Sequence, residues 1–134
     1  MNDYNNNNFQ KEERVSGDKR VEALFTKGKS FLAYPLKVVY LETNSPLSST
    51  YSLLISVPKK RIKSAVKRNR VKRLIREAYR LNKHTLNAFA ENNRCFDFGF
   101  VYIKDEVTDY ATIEKGVIKA IKILKKKLFI INEE

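Results

Sequence analysis

Residues 64–80 read SAVKRNRVKRLIREAYR. The spacing of polar and apolar residues in this stretch is the strongest indication of structure in the chain. Seven of the seventeen residues are Lys or Arg. The apolar residues recur at steps of three and four, which is the spacing of one face of an α-helix. The pattern predicts a helix from about Ala65 to Asn82. Its apolar face consists of Val71, Leu74, Ile75 and Ala78.

The opposite face of the predicted helix collects cations around one amide. At 100° per residue, this face contains Asn69, Arg73, Arg76 and Arg80, with Lys72 and Arg70 at its borders. We call these six residues the cationic strip. Like charges at helical spacing destabilise a helix, and a solvated helix normally mixes charges of both signs. The sorted charge therefore indicates a surface that binds a polyanion.

Charge along the whole chain is concentrated in the same place. The protein has 134 residues and a formal net charge of +12. The segment from Lys59 to Lys83 holds 12 of the 27 basic residues and one of the 15 acidic ones, so the remainder is nearly balanced. A hydrophobic fraction of 43% is enough for a core. This distribution favours one globular domain with a localised nucleic-acid-binding face, and an anionic membrane is the second candidate partner.

Asn69 has two interpretations from sequence. An amide both donates and accepts, so it can hold a base edge, a ribose hydroxyl or a hydrated metal ion where arginine cannot. Asparagine is also a common N-cap, and Asn69 could instead begin the helix.

The flanking sequence predicts the other elements. A short helix begins after Ser16 or Asp18, and Gly28 follows it at a position typical of helix C-termini. Strands are predicted at SFLAY (30–34), LKVVYLE (36–42), YSLLISV (51–57) and FDFGFVYI (96–103). Thr108 or Asp109 caps a last amphipathic helix with apolar residues Ile113, Val117, Ala120, Ile121, Leu124 and Leu128.

The predicted order is α-β-β-β-α-β-α, which indicates an α+β fold of the α/β sandwich type. One mainly four-stranded sheet would pack against the helices. Residues 1–12 are polar and rich in asparagine, and we expect them to form a disordered tail. Residues 13–131 are expected to form a single domain.

Composition also indicates a compartment. The one cysteine, Cys95, rules out an intramolecular disulfide, suits a reducing environment and is expected to be buried. No segment approaches the ~20 apolar residues of a membrane span, and the first residues lack a signal-peptide core. We expect a cytoplasmic protein that does not bind a membrane.

Candidate catalytic groups are scarce in the sequence. His84 is the one histidine, and the acids are dispersed apart from Asp105, Glu106 and Asp109, which we interpret as turn and cap residues. We therefore predict no catalytic residue, no metal site and no protein-bound cofactor. Two interpretations of the basic helix remain open at this point: a non-enzymatic RNA-binding module such as a ribosomal protein, and a DNA-binding helix, which no helix-turn-helix pattern supports.

The run ISVPKKRIKSAVKRNRVKRLIREAYR (55–80) resembles the signature of the bacterial ribonuclease P protein family, which centres on Arg-Asn-Arg. The run KEERVSGDKRVEALFTKGKSF (11–31) is similar to the family's opening, and the likeness extends over about residues 11–130. It implies a left-handed β-α-β crossover, against the usual right-handed preference.

The resemblance also implies function. It implies a monomer in a one-to-one complex with a catalytic RNA, and together they remove the 5′ leader from precursor tRNA. The RNA, with magnesium, would carry this endoribonuclease chemistry.

Site residues follow from the same resemblance. Lys59, Lys60, Arg68, Asn69, Arg70, Lys72, Arg73 and Arg76 fall in the RNA-contacting motif, and the cationic strip adds Arg80. Phe25 and Tyr40 fall at aromatic positions of a cleft for the single-stranded leader. Two departures stand out. Val21 lies where the family often has Phe, and the turn RIKS (61–64) is one residue longer than usual and lacks a glycine.

Overall fold

A computed structural model describes residue 15 and residues 17–43, 51–87 and 95–129. The predicted order of elements is confirmed over these residues, with one short helix added after the basic one. The elements are α1 (Asp18–Lys27), β1 (Lys29–Ala33), β2 (Leu36–Thr43), β3 (Tyr51–Ser56), α2 (Ala65–Asn82), α3 (His84–Asn87), β4 (Cys95–Tyr102) and α4 (Tyr110–Phe129). The predicted tail and most of the two predicted loops, at 44–50 and 91–94, lie outside the described residues.

The four strands form one mixed sheet in the order β1-β2-β4-β3. The pairs β1–β2 and β2–β4 are antiparallel, whereas β3 and β4 are parallel. Parallel neighbours need a crossover connection, and α2 lies within it. The α+β prediction is therefore confirmed, while the left-handed sense of the crossover stays a prediction.

One face of the sheet carries the core. Val38 pairs with Phe100, and Leu36 pairs with Tyr102, so their side chains point to the same side. On this side the Tyr79 ring of α2 meets Phe100 edge-on, with ring centroids 5.9 Å apart. All six predicted apolar residues of α4 are buried.

The apolar face of α2 differs from its prediction by one residue. Val71, Ile75 and Ala78 are fully buried as predicted, but Leu74 is only half-buried. Tyr79 completes the buried face instead.

The other face of the sheet carries α1. A Cβ on Gly99 would lie 3.2 Å from Leu24 Cδ2, so the glycine lets this helix approach β4 closely. Gly28 ends α1 in an extended conformation (φ −75°), not in the left-handed one that its position suggested. Position 28 requires glycine because there is no room for a side chain: a Cβ there would clash with the carbonyl oxygen of Leu24 and lie 2.9 Å from that of Tyr40.

One predicted helix cap, Asp109 of α4, is confirmed, whereas Asp18 is not the cap of α1. The Asp109 carboxylate accepts from the Thr112 backbone N–H at 3.0 Å and so caps α4. Hydrogen bonds from the Thr112 side chain and backbone lower the pKa of Asp109. Asp18 was a candidate cap for α1, but it is the first helical residue. Gly17 precedes it and supplies no side-chain cap. Ser16, the other candidate, lies outside the described residues.

A buried ion pair joins α1 to the sheet. Arg20 Nε and Nη2 donate to the two carboxylate oxygens of Asp97 at 2.8 and 2.7 Å. The Asp97 side chain is 2% exposed and that of Arg20 24%. The hydrogen bonds to Asp97 raise the pKa of Arg20. A carboxylate at this depth requires its partner, so Arg20 fixes where α1 lies on the sheet.

The expectation that Cys95 is buried is not confirmed: Cys95 is only partly buried, because it begins β4 at the rim of the sheet. Among the helices of the described residues, none is both long enough and apolar enough to span a bilayer. The cytoplasmic location stays a prediction.

We predict that Arg20→Ala destabilises the protein by about 3 kcal/mol, because it leaves the Asp97 carboxylate buried and unpaired. The value is at the low end for a broken buried pair because Arg20 is partly solvated. Urea unfolding of the purified protein measures the change.

The neighbouring exposed residue Lys19 is the matched control, and Lys19→Ala should change the free energy of unfolding little. The double variant Arg20→Leu/Asp97→Leu should recover most of the lost stability. Equal stability of Arg20→Ala and the wild type would show that the pair does not hold α1.

Candidate nucleic-acid interface

The start of α2 decides between the two interpretations of Asn69. Ser64 precedes the helix in an extended conformation, and its side chain accepts from the backbone N–H of Lys67 at 3.3 Å. Ser64 is therefore the N-cap. Asn69 lies five residues into the helix with an exposed side chain, so the interpretation of Asn69 as the cap is wrong.

The lengthened turn before α2 is closed without a glycine. The Pro58 carbonyl accepts from the backbone N–H groups of Arg61 and Ile62, and the Ile62 side chain is buried. Arg68 Nη1 donates to the carbonyls of Ile62 and Lys63 at 3.0 and 2.8 Å. Arg68 was predicted to contact RNA, but its guanidinium folds back and holds this turn.

The outer face of α2 carries several cations for which the described residues supply no ion-pair partner. Asn69, Arg70 and Arg73 are exposed, and Lys72 is half-buried. Within the described ranges, no acid forms an ion pair with any of these three cations. A surface that leaves several charges of one sign unpaired suits an anionic partner.

Arg80, at the far end of the strip, does have a protein partner. Its Nε and Nη2 donate to the Glu77 carboxylate at 3.2 and 2.7 Å. This hydrogen bonding lowers the pKa of Glu77 and raises that of Arg80. The only acid of α2 is thereby neutralised, and the net charge of the strip is concentrated at Arg70, Lys72, Arg73 and Arg76.

Arg76 holds an unsatisfied donor. Its Nε is buried and has no hydrogen-bond partner in the described part of the chain. A buried donor without a partner costs about 1–3 kcal/mol. An acceptor oxygen brought by a ligand would remove this penalty, and phosphate oxygens are strong acceptors for guanidinium groups.

A groove of about 700 Å³ continues the cationic strip beyond the N-terminus of α2. Arg70 belongs to both, because it lies on the helix and also lines the groove. Arg61 Nη1 lies 3.0 Å from Asp105 Oδ1 across the groove. Its cationic lining consists of Lys60, Arg61, Lys63, Lys67 and Arg70.

Only part of this groove was predicted from the sequence. Lys59 and Lys60 were predicted to bind RNA and both are exposed, but only Lys60 belongs to the lining. Arg61, Lys63 and Lys67 were not predicted. Their signal was the density of cations in a turn that leads directly into a helix with no acid in its first turn.

The acids interpreted as turn and cap residues have local partners. Asp109 caps α4, Asp105 pairs with Arg61, and Glu106 lies 3.5 Å from Lys104 Nζ. Over the residues that the structure describes, no three His, Cys, Asp or Glu side chains are placed to hold a metal ion together.

The predicted aromatic cleft is wrong in one respect, because Phe25 and Tyr40 lie on opposite faces of the sheet. Phe25 lies on the α1 side, next to Gly99. Tyr40 pairs with Phe98 and packs on the helical core, with its ring centroid 6.1 Å from that of Phe31. Side chains alternate along β2, so Val39, and not Tyr40, shares the α1 side.

The mixed sheet, the docked basic helix and its exposed cations define a small basic α+β protein with a surface suited to a polyanion. The family model described as Ribonuclease P matches residues 9–125. The chain therefore belongs to the ribonuclease P protein family, and the resemblance seen in the sequence is confirmed.

Individual relatives agree with this assignment. The ribonuclease P protein component of Porphyromonas gingivalis is 43% identical over 112 residues, which cover 83% of this chain and 82% of that protein. The component of Clostridium botulinum is 34% identical over 115 residues, covering 84% and 94%. The structure of the Staphylococcus aureus RNase P protein matches with a TM-score of 0.66 at 23% identity, covering 84% and 95%, which supports the fold.

We predict that Ser64→Ala and Asn69→Ala separate stability from binding. Loss of the cap should cost about 1 kcal/mol, whereas alanine at the exposed position 69 should not destabilise the helix. Asn69→Ala should instead weaken binding to the RNA of ribonuclease P. Urea unfolding and filter binding measure the two effects, and a destabilised Asn69→Ala with unchanged RNA affinity would contradict the assignment.

Proposed function

We propose that this chain is the protein subunit of ribonuclease P and that it assists a catalytic RNA in removing the 5′ leader from precursor tRNA. The observation that carries the proposal is the outer face of α2, where unpaired cations surround Asn69 within the family's Arg-Asn-Arg motif. The ribosomal-protein alternative is not favoured, because the family match spans most of the chain.

In this proposal the RNA carries out the cleavage reaction, and the protein binds RNA. The magnesium ions would be bound by the RNA, and the protein would act through its cations as a monomer in a one-to-one complex. In support, Asp97, Asp105 and Asp109 serve the fold through an ion pair or a helix cap. Cations that neutralise backbone phosphates lower the demand for magnesium in folding an RNA active site.

The proposal for the leader uses the α1 side of the sheet. Phe25 is 44% exposed there, beside the glycine of β4, and its ring is available to an unpaired base. Val21 is partly buried on the same helix and offers no aromatic ring. We therefore assign leader stacking to Phe25, with α1 fixed in place by the Arg20–Asp97 pair.

Reconstitution tests the proposed function. The purified protein alone should leave precursor tRNA intact, and addition of a family catalytic RNA should give mature 5′ ends at a magnesium concentration where that RNA alone is nearly inactive. Gel analysis of end-labelled precursor follows both reactions. Cleavage by the protein alone would contradict the division of labour, and no stimulation of the RNA would contradict the assignment itself.

We predict that Arg73→Ala lowers the affinity for the catalytic RNA and makes the salt dependence of binding shallower by about one unit of slope, as expected for one lost phosphate contact. The side chain is exposed and has no ion-pair partner among the described residues, so stability should not change.

Arg68→Ala provides the contrasting variant from the same helix. Because Arg68 holds the turn before α2, its loss should lower the free energy of unfolding and leave the salt slope nearly unchanged. Equal salt slopes for Arg73→Ala and the wild type would argue against a phosphate contact at Arg73.

A further inference from the structure

A second groove lies at the opposite end of the core from the start of α2. It has a volume of about 240 Å³ and forms where the last turn of α4 approaches β1 and β2. Its walls are the Tyr40 ring together with Phe96 and Leu128. We call it the tyrosine groove. It is separate from the groove beside α2, with which it shares no lining residue in the part of the chain that the structure describes.

The rim of the tyrosine groove is cationic. Lys29 pairs directly opposite Tyr40 on the neighbouring strand, Lys27 ends α1, and Lys127 lies in the last turn of α4. Among the described residues of the lining, Glu42 is the one carboxylate. Three ammonium groups around an apolar and aromatic cavity complement a ligand that combines a flat ring with an anionic group.

The size of the cavity limits the ligand. Pockets that enclose drug-sized molecules measure ~300–1,000 Å³, so the tyrosine groove suits a smaller group. One nucleobase with part of its sugar and phosphate meets this limit. Aromatic side chains hold unpaired bases by stacking, and lysine acts as a point charge for the phosphate.

The Tyr40 ring is suited to stacking against a base. It is partly buried and packs against the Phe31 ring, so its position is fixed before any ligand arrives.

We propose that the tyrosine groove binds one unpaired nucleotide of RNA, whose base lies against Tyr40 and whose phosphate is neutralised by Lys29 and Lys127. This contact is distinct from the cationic strip and lies on the opposite side of the sheet from Phe25. It rests on the proposed function only in that the ligand is RNA. The nucleotide comes either from the leader or from the catalytic RNA.

A titration of the isotope-labelled full chain tests the groove without the catalytic RNA. Uridine 5′-monophosphate should shift the amide resonances of Lys29, Tyr40 and Lys127, and uridine or inorganic phosphate alone should shift them much less. Equal shifts with phosphate alone would mean a simple anion site and overturn the proposal. Shifts confined to α2 would also overturn it.

Variants that keep the core filled identify the stacking contact. Tyr40→Phe should retain binding of the nucleotide, whereas Tyr40→Leu should bind it about tenfold more weakly, because it keeps apolar volume but loses the aromatic face. The double variant Lys29→Ala/Lys127→Ala should show a similar loss. Lys119→Ala, an exposed lysine elsewhere on α4, is the matched control and should bind normally.

The reconstituted complex distinguishes the two sources of the nucleotide. If the leader supplies it, Tyr40→Leu should weaken binding of precursor tRNA more than binding of mature tRNA. If the catalytic RNA supplies it, Tyr40→Leu should weaken assembly and leave the ratio of precursor to mature tRNA affinity unchanged. Wild-type behaviour of Tyr40→Leu in both measurements would overturn the proposal, even if the complex cleaves normally.

Discussion

The docking of α2 by its apolar face is the interaction on which the rest of the structure depends. Val71, Ile75, Ala78 and Tyr79 are buried, and burying a side chain of this kind contributes about 1.5–3 kcal/mol for the larger ones. That gain offsets the repulsion along the outer face, where each like-charged pair costs a few tenths of a kcal/mol. Burial of the apolar face can therefore hold the helix in place, even though like charges repel one another on its exposed face in the free protein. The same helix forms the crossover between β3 and β4, so the sheet fixes where the cations lie.

The two faces of the sheet have different proposed roles in binding RNA. The face covered by α2 and α4 presents the cationic strip and its groove, and the other face presents α1 with Phe25. The Arg20–Asp97 pair is the link between the second side and the core, because it fixes α1 over β4 at the strand that pairs with both β2 and β3. A subunit built in this way can hold two RNA segments at a defined distance, since a rigid sheet lies between them.

Much of this could be predicted from the sequence, because local patterns were strong. The spacing of apolar residues predicted the bounds of α2 and the buried face of α4. The rest depends on contacts between distant residues. The pairing of Arg20 with Asp97 spans 77 positions, and its only signal was an acid inside an apolar strand. Arg68 and Arg73 look alike in sequence, and only the path of the turn at 58–64 gives them different roles. Side chains alternate along β2, so Tyr40 and Val39 lie on different faces of the sheet, but the sequence does not show which face α1 covers.

The central claim is that the outer face of α2 lies against the catalytic RNA. It is tested most directly by an iron chelate attached to a cysteine at position 66, in a Cys95→Ser background, which generates hydroxyl radicals within the assembled complex. Val66 lies on this face, is 79% exposed and carries no charge, so Val66→Cys removes no phosphate contact. A chelate at Glu22→Cys, an exposed residue of α1 on the other side of the sheet, is the matched reference. The account predicts strong, localised cleavage of the catalytic RNA from position 66 and little from position 22. Cleavage from position 22 alone, or equal cleavage from both positions, would contradict it.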